Sequence, residues 1–331
     1  MQPTPLTVLI SSAGRRVELL QIWRAAIESL GHVPRIIAVD MTTLSAAFQI
    51  ADAGYLVPHC QAPDFVNELL GICQRENVSL IVPTIDPELP VYAAARARFE
   101  AIGVRVHVSA PEAIAISNDK RLTHRWLSSN GLPTVWQVEA RAVLDDGLDL
   151  PLPAFAKPAM GSSGIGIAKV ESREALSHWV GERTDYIVQE VAPGLEYTVD
   201  VFVDREGKCR AAIPRRRLEI RAGEVSKGMT VRHAGVMALA TRAAETLPGA
   251  WGCLNIQIFA DDDSQRLALI EINSRFGGGF PLTWEAGGQY PRWILEEALS
   301  LPCSAHSDWT DGLVMLRYDA AVFRNKATCG L

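Results

Sequence analysis

The chain has 331 residues, of which 48% are hydrophobic and 21% are charged, and its formal net charge is −6. This composition predicts a folded globular protein with two or three hydrophobic cores, and it excludes an intrinsically disordered chain. The acidic balance and the lack of a long basic block argue against general binding to nucleic acid or to a membrane surface.

Six cysteines lie far apart, with no C-x-x-C pair and no histidine cluster at zinc-site spacing. We therefore expect free thiols in a reducing compartment. The N-terminus lacks the pattern of a secretion signal, and no uninterrupted apolar run reaches about 18 residues. The sequence predicts a cytosolic protein.

The first 108 residues alternate short apolar runs with helix patterns. A strand from Thr7 to Ile10 is followed by the loop SSAGRR and a helix, a geometry that presents backbone N–H groups to anions. Arg15 and Arg16 in this loop strengthen that preference. Further strands end at Asp40 and near Pro83. Strands separated by helices predict a parallel sheet, with ligands at the carboxyl ends of its strands.

Three acidic residues at these strand ends have more than one interpretation. Asp40 stands where a dinucleotide-binding acid would, but no G-x-G-x-x-G precedes it, which disfavours a nicotinamide site. Asp86 and Glu88 follow a strand end, where ligands bind in such sheets, and capping of the helix that starts near Pro87 is an equal alternative.

The next segment contains a glycine- and serine-rich hairpin. A helix begins after Asp119, and the stretch from Gly131 to Leu152 is predicted to be an irregular link. The sequence FAKPAMGSSGIGI then starts at Phe155. Lys157 at the end of one strand and a small-residue loop before the next predict a hairpin whose backbone closes over phosphates. It is not a Walker loop, because no G-K-[ST] follows.

Strands are predicted from Tyr186 to Val191 and from Tyr197 to Val203, and the extended segment between them could bind a purine through its backbone. A basic strand follows. In an acidic protein, a strand face made of cationic side chains would lower stability unless an anion bound to it. We therefore expect these side chains to bind a substrate carboxylate and a departing phosphate. These cations are Arg217, Arg221 and Lys227.

The most informative stretch is LALIEINSRFGGGFPL, which starts at Leu267. In a strand, Glu271 and Asn273 share a face, and one carboxylate beside one amide suits Mg²⁺. The upstream run CLNIQIF is a second strand, and if the two pair antiparallel, Gln257 supplies another oxygen. Arg275 could neutralise charge on a transferred phosphoryl group.

The series N-x-Q, then E-x-N-x-R, then GGG along the chain resembles the ATP-grasp superfamily. The resemblance is strongest to the single-unit proteins that are similar to one synthetase half of the carbamoyl phosphate synthetase large subunit. The resemblance implies an α/β (α+β overall) ATP-grasp fold with an N-terminal parallel-sheet domain. It implies three parts: a Rossmann-like domain at 1–108, a central lobe with the phosphate hairpin at 109–192, and a C-terminal lobe with the metal-binding strands at 193–331.

The resemblance also implies roles for individual residues. Magnesium, or manganese, would be held by Gln257, Glu271 and Asn273. Arg275, Arg217 and Lys227 would contact the reacting phosphate. The substrate-side residues would be Arg15, Arg16, Asp86, Glu88 and Arg221. ATP would be bound by Lys120, Lys157, Gly161, Ser162, Ser163, Gly164, Gln189, Glu190, Val191 and Glu196.

These assignments predict a ligase that joins a small-molecule carboxylate to an amine through an acyl phosphate, releasing ADP and phosphate. Two alternatives stay open: a phosphotransferase that stops after the first step, and a nucleotide-binding regulatory module without turnover. Full carbamoyl phosphate synthesis is disfavoured, because the chain carries one ATP-grasp unit. The sequence leaves open the acid, an amine or a thiol as acceptor, and the oligomeric state, for which a homodimer is one possibility.

Overall fold

The computed structural model describes residues 5–161, 164–221 and 224–330. Three sheets, one parallel and two antiparallel, organise this part of the chain. Among these residues, no helix combines the length and the apolar character needed to cross a bilayer. All six cysteines are unpaired.

The parallel sheet has the strand order β3-β2-β1-β4-β5. Each crossover carries a helix that packs against the sheet. In the first helix, for example, Leu19, Leu20, Trp23 and Ile27 are buried at a spacing of three to four residues. The strands are β1 (Pro5–Ser11), β2 (Val33–Asp40), β3 (Ala53–Leu56), β4 (Val78–Val82) and β5 (Arg105–Val106). The helices are α1 (Val17–Ser29), α2 (Ala46–Ile50), α3 (Phe65–Glu76), α4 (Leu89–Glu100) and α5 (Pro111–Asn118). The predicted parallel sheet is confirmed.

A four-stranded antiparallel sheet with the order β6-β9-β7-β8 follows, and it has its own apolar core. Its strands are β6 (Gln137–Glu139), β7 (Ala154–Pro158), β8 (Ala168–Val170) and β9 (Tyr186–Glu190). The helix α6 (Lys120–Ser129) precedes this sheet in the chain, and the helices α7 (Ala140–Leu144) and α8 (Arg173–Val180) pack on it. The predicted irregular link up to Leu152 is wrong, because it contains β6 and α7. Both elements are too short to show a hydrophobic period, and the buried side chain of Gln137 in β6 is polar.

The third sheet has six strands in the order β14-β13-β10-β11-β12-β15. One of its faces is apolar and packs against α5, α6 and the helix after β12. The strands are β10 (Leu195–Val203), β11 (Cys209–Arg221), β12 (Glu224–Thr230), β13 (Gly252–Asp261), β14 (Arg266–Asn273) and β15 (Val314–Leu316). The helices are α9 (Ala234–Thr246), α10 (Phe280–Glu285) and α11 (Tyr290–Ala298).

Aromatic side chains join the parallel sheet to the six-stranded sheet. Trp23 of α1 lies edge-on against Phe276 with ring centroids 5.9 Å apart, and Phe276 packs against Phe280 at 4.6 Å. His107, just after β5, accepts a hydrogen bond from the backbone N–H of Cys253 at 3.0 Å. Burial, followed by the nearby Arg96, lowers the pKa of His107 to about 3, so the ring stays neutral as this contact requires. These contacts fix the two sheets against each other.

Replacing Gly252 with alanine should destabilise this junction. Gly252 has a φ of +77°, and an added Cβ would lie 2.2 Å from Nε2 of His107. We expect backbone strain of about 1 kcal/mol and a further ~2 kcal/mol from the clash, measured as the loss of unfolding free energy in urea.

Gly207→Ala is the matched control for this change. Gly207 also has a φ of +77°, but an added Cβ there would meet nothing within 4 Å. It should show only the strain, about 1 kcal/mol. Equal losses in the two variants would contradict the proposed importance of the His107 contact.

Candidate active site

A cleft of about 660 Å³ lies between the four-stranded and six-stranded sheets, and the loop after β1 reaches one end of it. Three groups of side chains line it. The loop after β1 contributes Arg16. The four-stranded sheet and the segments beside it contribute Lys120, Phe155, Lys157, Ile165, Ile167, Gln189, Glu190 and Val191. The six-stranded sheet and the turn after it contribute Glu196, Thr198, Arg215, Arg217, Asn255, Gln257, Glu271, Asn273, Arg275 and residues 277–279.

The two predicted ligand strands pair antiparallel, which meets the condition for Gln257 to join Glu271 and Asn273. Their register sets Gln257 opposite Glu271 and Asn255 opposite Asn273, and all four residues line the cleft. The intervening Ile256 is buried in the core on the other face of the sheet. The register shifts beyond Gln257, so that Ile270 has no opposing partner in the pairing and also lines the cleft.

The oxygen atoms of this pair of strands fit a hard cation. Gln257 and Asn273 offer neutral amide oxygens, and Glu271 offers a carboxylate. Across the described residues, no group of three or more His, Cys, Asp or Glu side chains could hold a metal ion. One carboxylate with two amides leaves about half of the six positions of an octahedral cation to water and to an anionic ligand, which is how Mg²⁺ is commonly bound.

The opposite wall carries two lysines in a polar network. Lys157 is buried, and its Nζ donates to Oε1 of Gln189 at 2.7 Å; Nε2 of Gln189 donates in turn to Oε1 of Gln137 at 3.1 Å. Lys120 donates from Nζ to the carbonyl of Gly161 at 2.8 Å. Burial lowers the pKa of Lys157 to about 8; Glu271 opposes this shift and Lys120 adds to it. An anion entering the cleft would therefore meet a partly desolvated cation.

The glycine-rich hairpin borders the cleft through Gly161, Gly164 and the exposed side chain of Ile165. Ser162 and Ser163, which the sequence analysis assigned to the phosphates, lie outside the described residues. The hairpin connects β7, which carries Lys157, to β8. Lys157 and the two ends of the loop are therefore carried by the same pair of strands.

The predicted nucleotide residues on the connecting segment carry carboxylates that are already paired. Glu190 accepts from the backbone N–H of Trp136 at 2.9 Å and forms an ion pair with Arg266. Glu196 forms an ion pair with Arg217 on the neighbouring strand. Burial lowers the pKa of Arg217, while Glu271 opposes that shift. Val191 lines the cleft between the two acids and is partly exposed.

Two arginines meet at the end of the cleft nearest the parallel sheet. Arg275 binds Asp86 through two hydrogen bonds of 2.7 and 2.6 Å, and it also approaches Oδ1 of Asn273 at 3.3 Å. Arg16 donates to the carbonyls of Thr84 at 3.0 Å and Phe276 at 3.3 Å. The structure thus brings three predicted residues, Arg16, Asp86 and Arg275, to one place from distant parts of the sequence.

Glu88, one of the two acids predicted on the substrate side, is not among the residues that line the cleft. Its side chain is fully buried and accepts from Ser11 at 2.6 Å and from the backbone N–H of Thr84 at 2.6 Å. It also accepts from the backbone N–H of Ile85 at 3.1 Å. Glu88 therefore ties the end of β1 to the loop after β4, which is closer to the capping alternative.

Three predicted cations do not line the cleft. Lys227 pairs with Glu219 at 2.6 Å, Arg221 pairs with Asp319, and Arg15 is exposed. The reason lies in β11, whose register against β12 shifts twice after Arg217. Those irregularities end the simple alternation, so Ile220 lines the cleft where regular spacing from Arg217 would have put Arg221.

A cluster of buried polar side chains, which no sequence-based prediction included, lies beneath the cleft. Asp200 of β10 accepts two hydrogen bonds from Arg215, of 2.8 and 3.1 Å, and one from Nδ2 of Asn255 at 2.7 Å. Added Cβ atoms would come within 2.6 Å of Asn255 at Gly277 and within 2.1 Å of Arg215 at Gly279. The glycines thus allow the turn to lie directly on these side chains. The sequence did contain a signal for two of these residues. Arg215 and Asn255 each lie two positions before a predicted site residue, Arg217 and Gln257, and residues two apart in a strand share a face.

Two family models match the chain. Residues 8–107 match a family described as "PylC-like, N-terminal domain", and residues 182–320 match "ATP-grasp in the biosynthetic pathway with Ter operon".

Curated relatives include D-alanine–D-alanine ligases. The chain is 32% identical over 146 residues to the Corynebacterium aurimucosum enzyme, covering 42% of this chain and 41% of that protein. It is 29% identical over 212 residues to the Neisseria meningitidis enzyme, covering 55% of this chain and 65% of that protein. The chain therefore spans only part of the length of these relatives.

Solved structures share the fold at low sequence identity. The biotin carboxylase domain of Hydrogenobacter thermophilus 2-oxoglutarate carboxylase aligns with a TM-score of 0.72 and 17% identity, covering 93% of this chain and 73% of that one. N5-carboxyaminoimidazole ribonucleotide synthetase from Thermotoga maritima aligns with a TM-score of 0.67 and 16% identity, covering 92% of this chain and 78% of that one. L-amino acid ligase from Bacillus licheniformis aligns with a TM-score of 0.67 and 17% identity, covering 90% of this chain and 75% of that one.

Proposed function

Because the chain belongs to the ATP-grasp superfamily, we propose that it is an ATP- and Mg²⁺-dependent ligase that joins a carboxylate to an amine, releasing ADP and phosphate. The observation that carries this proposal is the chemistry of the two cleft walls. A buried lysine and a glycine-rich hairpin form one wall, and the oxygen donors of β13 and β14 form the other. A triphosphate with a bound cation complements both walls at once.

The nucleotide would lie along the four-stranded sheet. Lys120 and Lys157 would contact its phosphates, and the hairpin with Gly161, Ser162, Ser163 and Gly164 would close over them. Glu190 and Val191 would border the adenine, and Glu196 would accept from the ribose. Since Gln189 accepts from Lys157 at 2.7 Å, we assign it the role of orienting that lysine. Ribose binding would also have to accommodate the ion pair between Glu196 and Arg217.

Gln257, Glu271 and Asn273 would hold Mg²⁺ or Mn²⁺, which when bound neutralises charge on the phosphates. The chain's own part is to position the groups and to balance charge. Arg217 and Arg275 would stabilise the transferred phosphoryl group while a substrate carboxylate attacks it in line. The amine would then displace phosphate from the acyl phosphate. We assign Arg16 and Asp86, beside Arg275, to the substrate end of the cleft.

Several predictions of the sequence analysis remain predictions. They are the domain limits at 1–108, 109–192 and 193–331, the cytosolic location, and a homodimer. Roles for the exposed Arg15, Arg221 and Lys227, which do not line the cleft, also remain predictions.

The test is a screen for ADP release with pairs of small carboxylates and amines in the presence of Mg²⁺. A ligase releases ADP and free phosphate together, and only when both substrates are present. ADP release without free phosphate would support the phosphotransferase alternative. No substrate-dependent ADP release from any pair, despite nucleotide binding, would favour the regulatory alternative.

Glu271→Gln should reduce ADP release by about 100-fold or more, because it removes the one carboxylate among the three oxygen donors. Glu219→Gln is the matched control, since Glu219 is an exposed carboxylate paired with Lys227 outside the cleft. Thermal melting should show that both variants stay folded. Turnover of the Glu271 variant at the wild-type rate would refute the metal assignment.

ADP binding should weaken as the pH rises from about 7 to 9, because Lys157 loses its proton near its lowered pKa of about 8. A bound phosphate favours the charged form and raises that pKa, so binding above about pH 8 should take up protons. Calorimetry in two buffers of different ionisation enthalpy measures that uptake.

Lys157→Met should weaken ADP binding and abolish the proton uptake. Lys169→Met, which removes an exposed lysine on the neighbouring strand, should change neither. If wild-type ADP affinity were independent of pH over this range, Lys157 would not be the phosphate contact.

A further inference from the structure

The Asp200 carboxylate is completely buried beneath the floor of the cleft. A carboxylate can remain charged in such a place only if hydrogen bonds and an opposite charge replace water. Arg215 provides two hydrogen bonds, and Nδ2 of Asn255 and the hydroxyl of Thr283 provide two more. Asp200 therefore connects three strands and α10 through a single side chain.

Each of these partners lies close to the proposed cation site. Asn255 is opposite Asn273 in the strand register, one position along the same face from Gln257 and Glu271. Because its nitrogen donates to Asp200, its amide oxygen is on the side away from that carboxylate. Arg215 lies against the backbone at Gly279, and Thr283 follows the same turn. The turn after Arg275 is thus held at both ends.

We propose that Asp200 is a positioning residue for the cation site: it balances the charge of Arg215 and fixes the amide of Asn255 beneath the turn at 277–279. This inference rests on the proposed function, because it assumes that a divalent cation binds with a nucleotide. Without Asp200, the guanidinium of Arg215 would be an uncompensated positive charge in a poorly solvated floor. Such a charge repels a cation in the cleft and attracts an anion.

The opposite signs of these two effects make a selective test. Asp200→Asn should weaken Mn²⁺ binding in the presence of ADP by about tenfold or more, measured from the free Mn²⁺ signal in electron paramagnetic resonance. In the absence of metal, the same variant should bind ADP as tightly as the wild type or more tightly, measured by calorimetry in EDTA. A merely structural loss would weaken both.

A charge-balanced variant provides the rescue. Asp200→Asn combined with Arg215→Gln removes both charges and keeps groups that can hydrogen-bond, so Mn²⁺ affinity should return to within about threefold of the wild type. Arg215→Gln alone should leave Mn²⁺ affinity equal or increased and weaken metal-free ADP binding. This single variant keeps the test decisive if Asp200→Asn fails to fold.

Asp204→Asn is the matched control. Asp204 is also a buried aspartate paired with an arginine, Arg210, and it immediately follows the same strand, β10, but it does not line the cleft or contact its floor. Its loss should lower the melting temperature without changing Mn²⁺ or ADP affinity. Wild-type Mn²⁺ affinity in Asp200→Asn, equal weakening of both ligands, or no rescue in the double variant would overturn the inference. Failure of the wild type itself to bind Mn²⁺ with ADP would overturn the proposed function and this inference with it.

Discussion

Along the central strands of the six-stranded sheet, successive side chains point to opposite faces, and the chain uses this alternation to separate a core from a cleft. Val199, Val201, Ile256 and Ile272 pack with the helices on one face. The polar residues between them line the cleft or lie directly beneath it. The apolar face cannot be exposed to water without a large loss of hydrophobic stabilisation, so the register of the strands is strongly fixed. The positions of the proposed metal ligands follow from that register.

Charge in the cleft is distributed unevenly between its walls. Around the six-stranded sheet, arginines are matched by carboxylates in the pairs Arg215–Asp200, Arg217–Glu196, Arg275–Asp86 and Arg266–Glu190. On the facing wall, Lys120 and Lys157 donate to the uncharged oxygens of Gly161 and Gln189. The positive potential is therefore concentrated on the lysine wall. This arrangement favours a phosphate chain there, with its cation toward Glu271.

The sequence predicted much of the fold and the site because both depend on short-range periodicity. The parallel sheet, the hairpin around Lys157 and the antiparallel pairing of Gln257 with Glu271 all follow from patterns that span a few residues. The failures come from features without a local pattern. The irregularities in β11 moved Arg221 away from the cleft, and only the paired strand reveals them.

Long-range polar contacts were equally hidden from the sequence. Glu88 bonds to residues of the loop after β1, and Asp200 bonds to Arg215, Asn255 and Thr283, which lie on other strands and a helix. A single sequence does not show which acid meets which base, since a carboxylate that will be buried has the same local pattern as an exposed one. The tertiary fold selects the pairs.

The aromatic contact between Trp23 and Phe276 has a consequence for how the parts of the molecule can move relative to each other. It packs the parallel-sheet region against the turn that carries Arg275, and the two regions share one hydrophobic core. The four-stranded sheet has an apolar core of its own. We therefore expect the four-stranded sheet to move as a unit toward the other two sheets when a ligand binds. The geometry around Glu271 should stay unchanged during this movement.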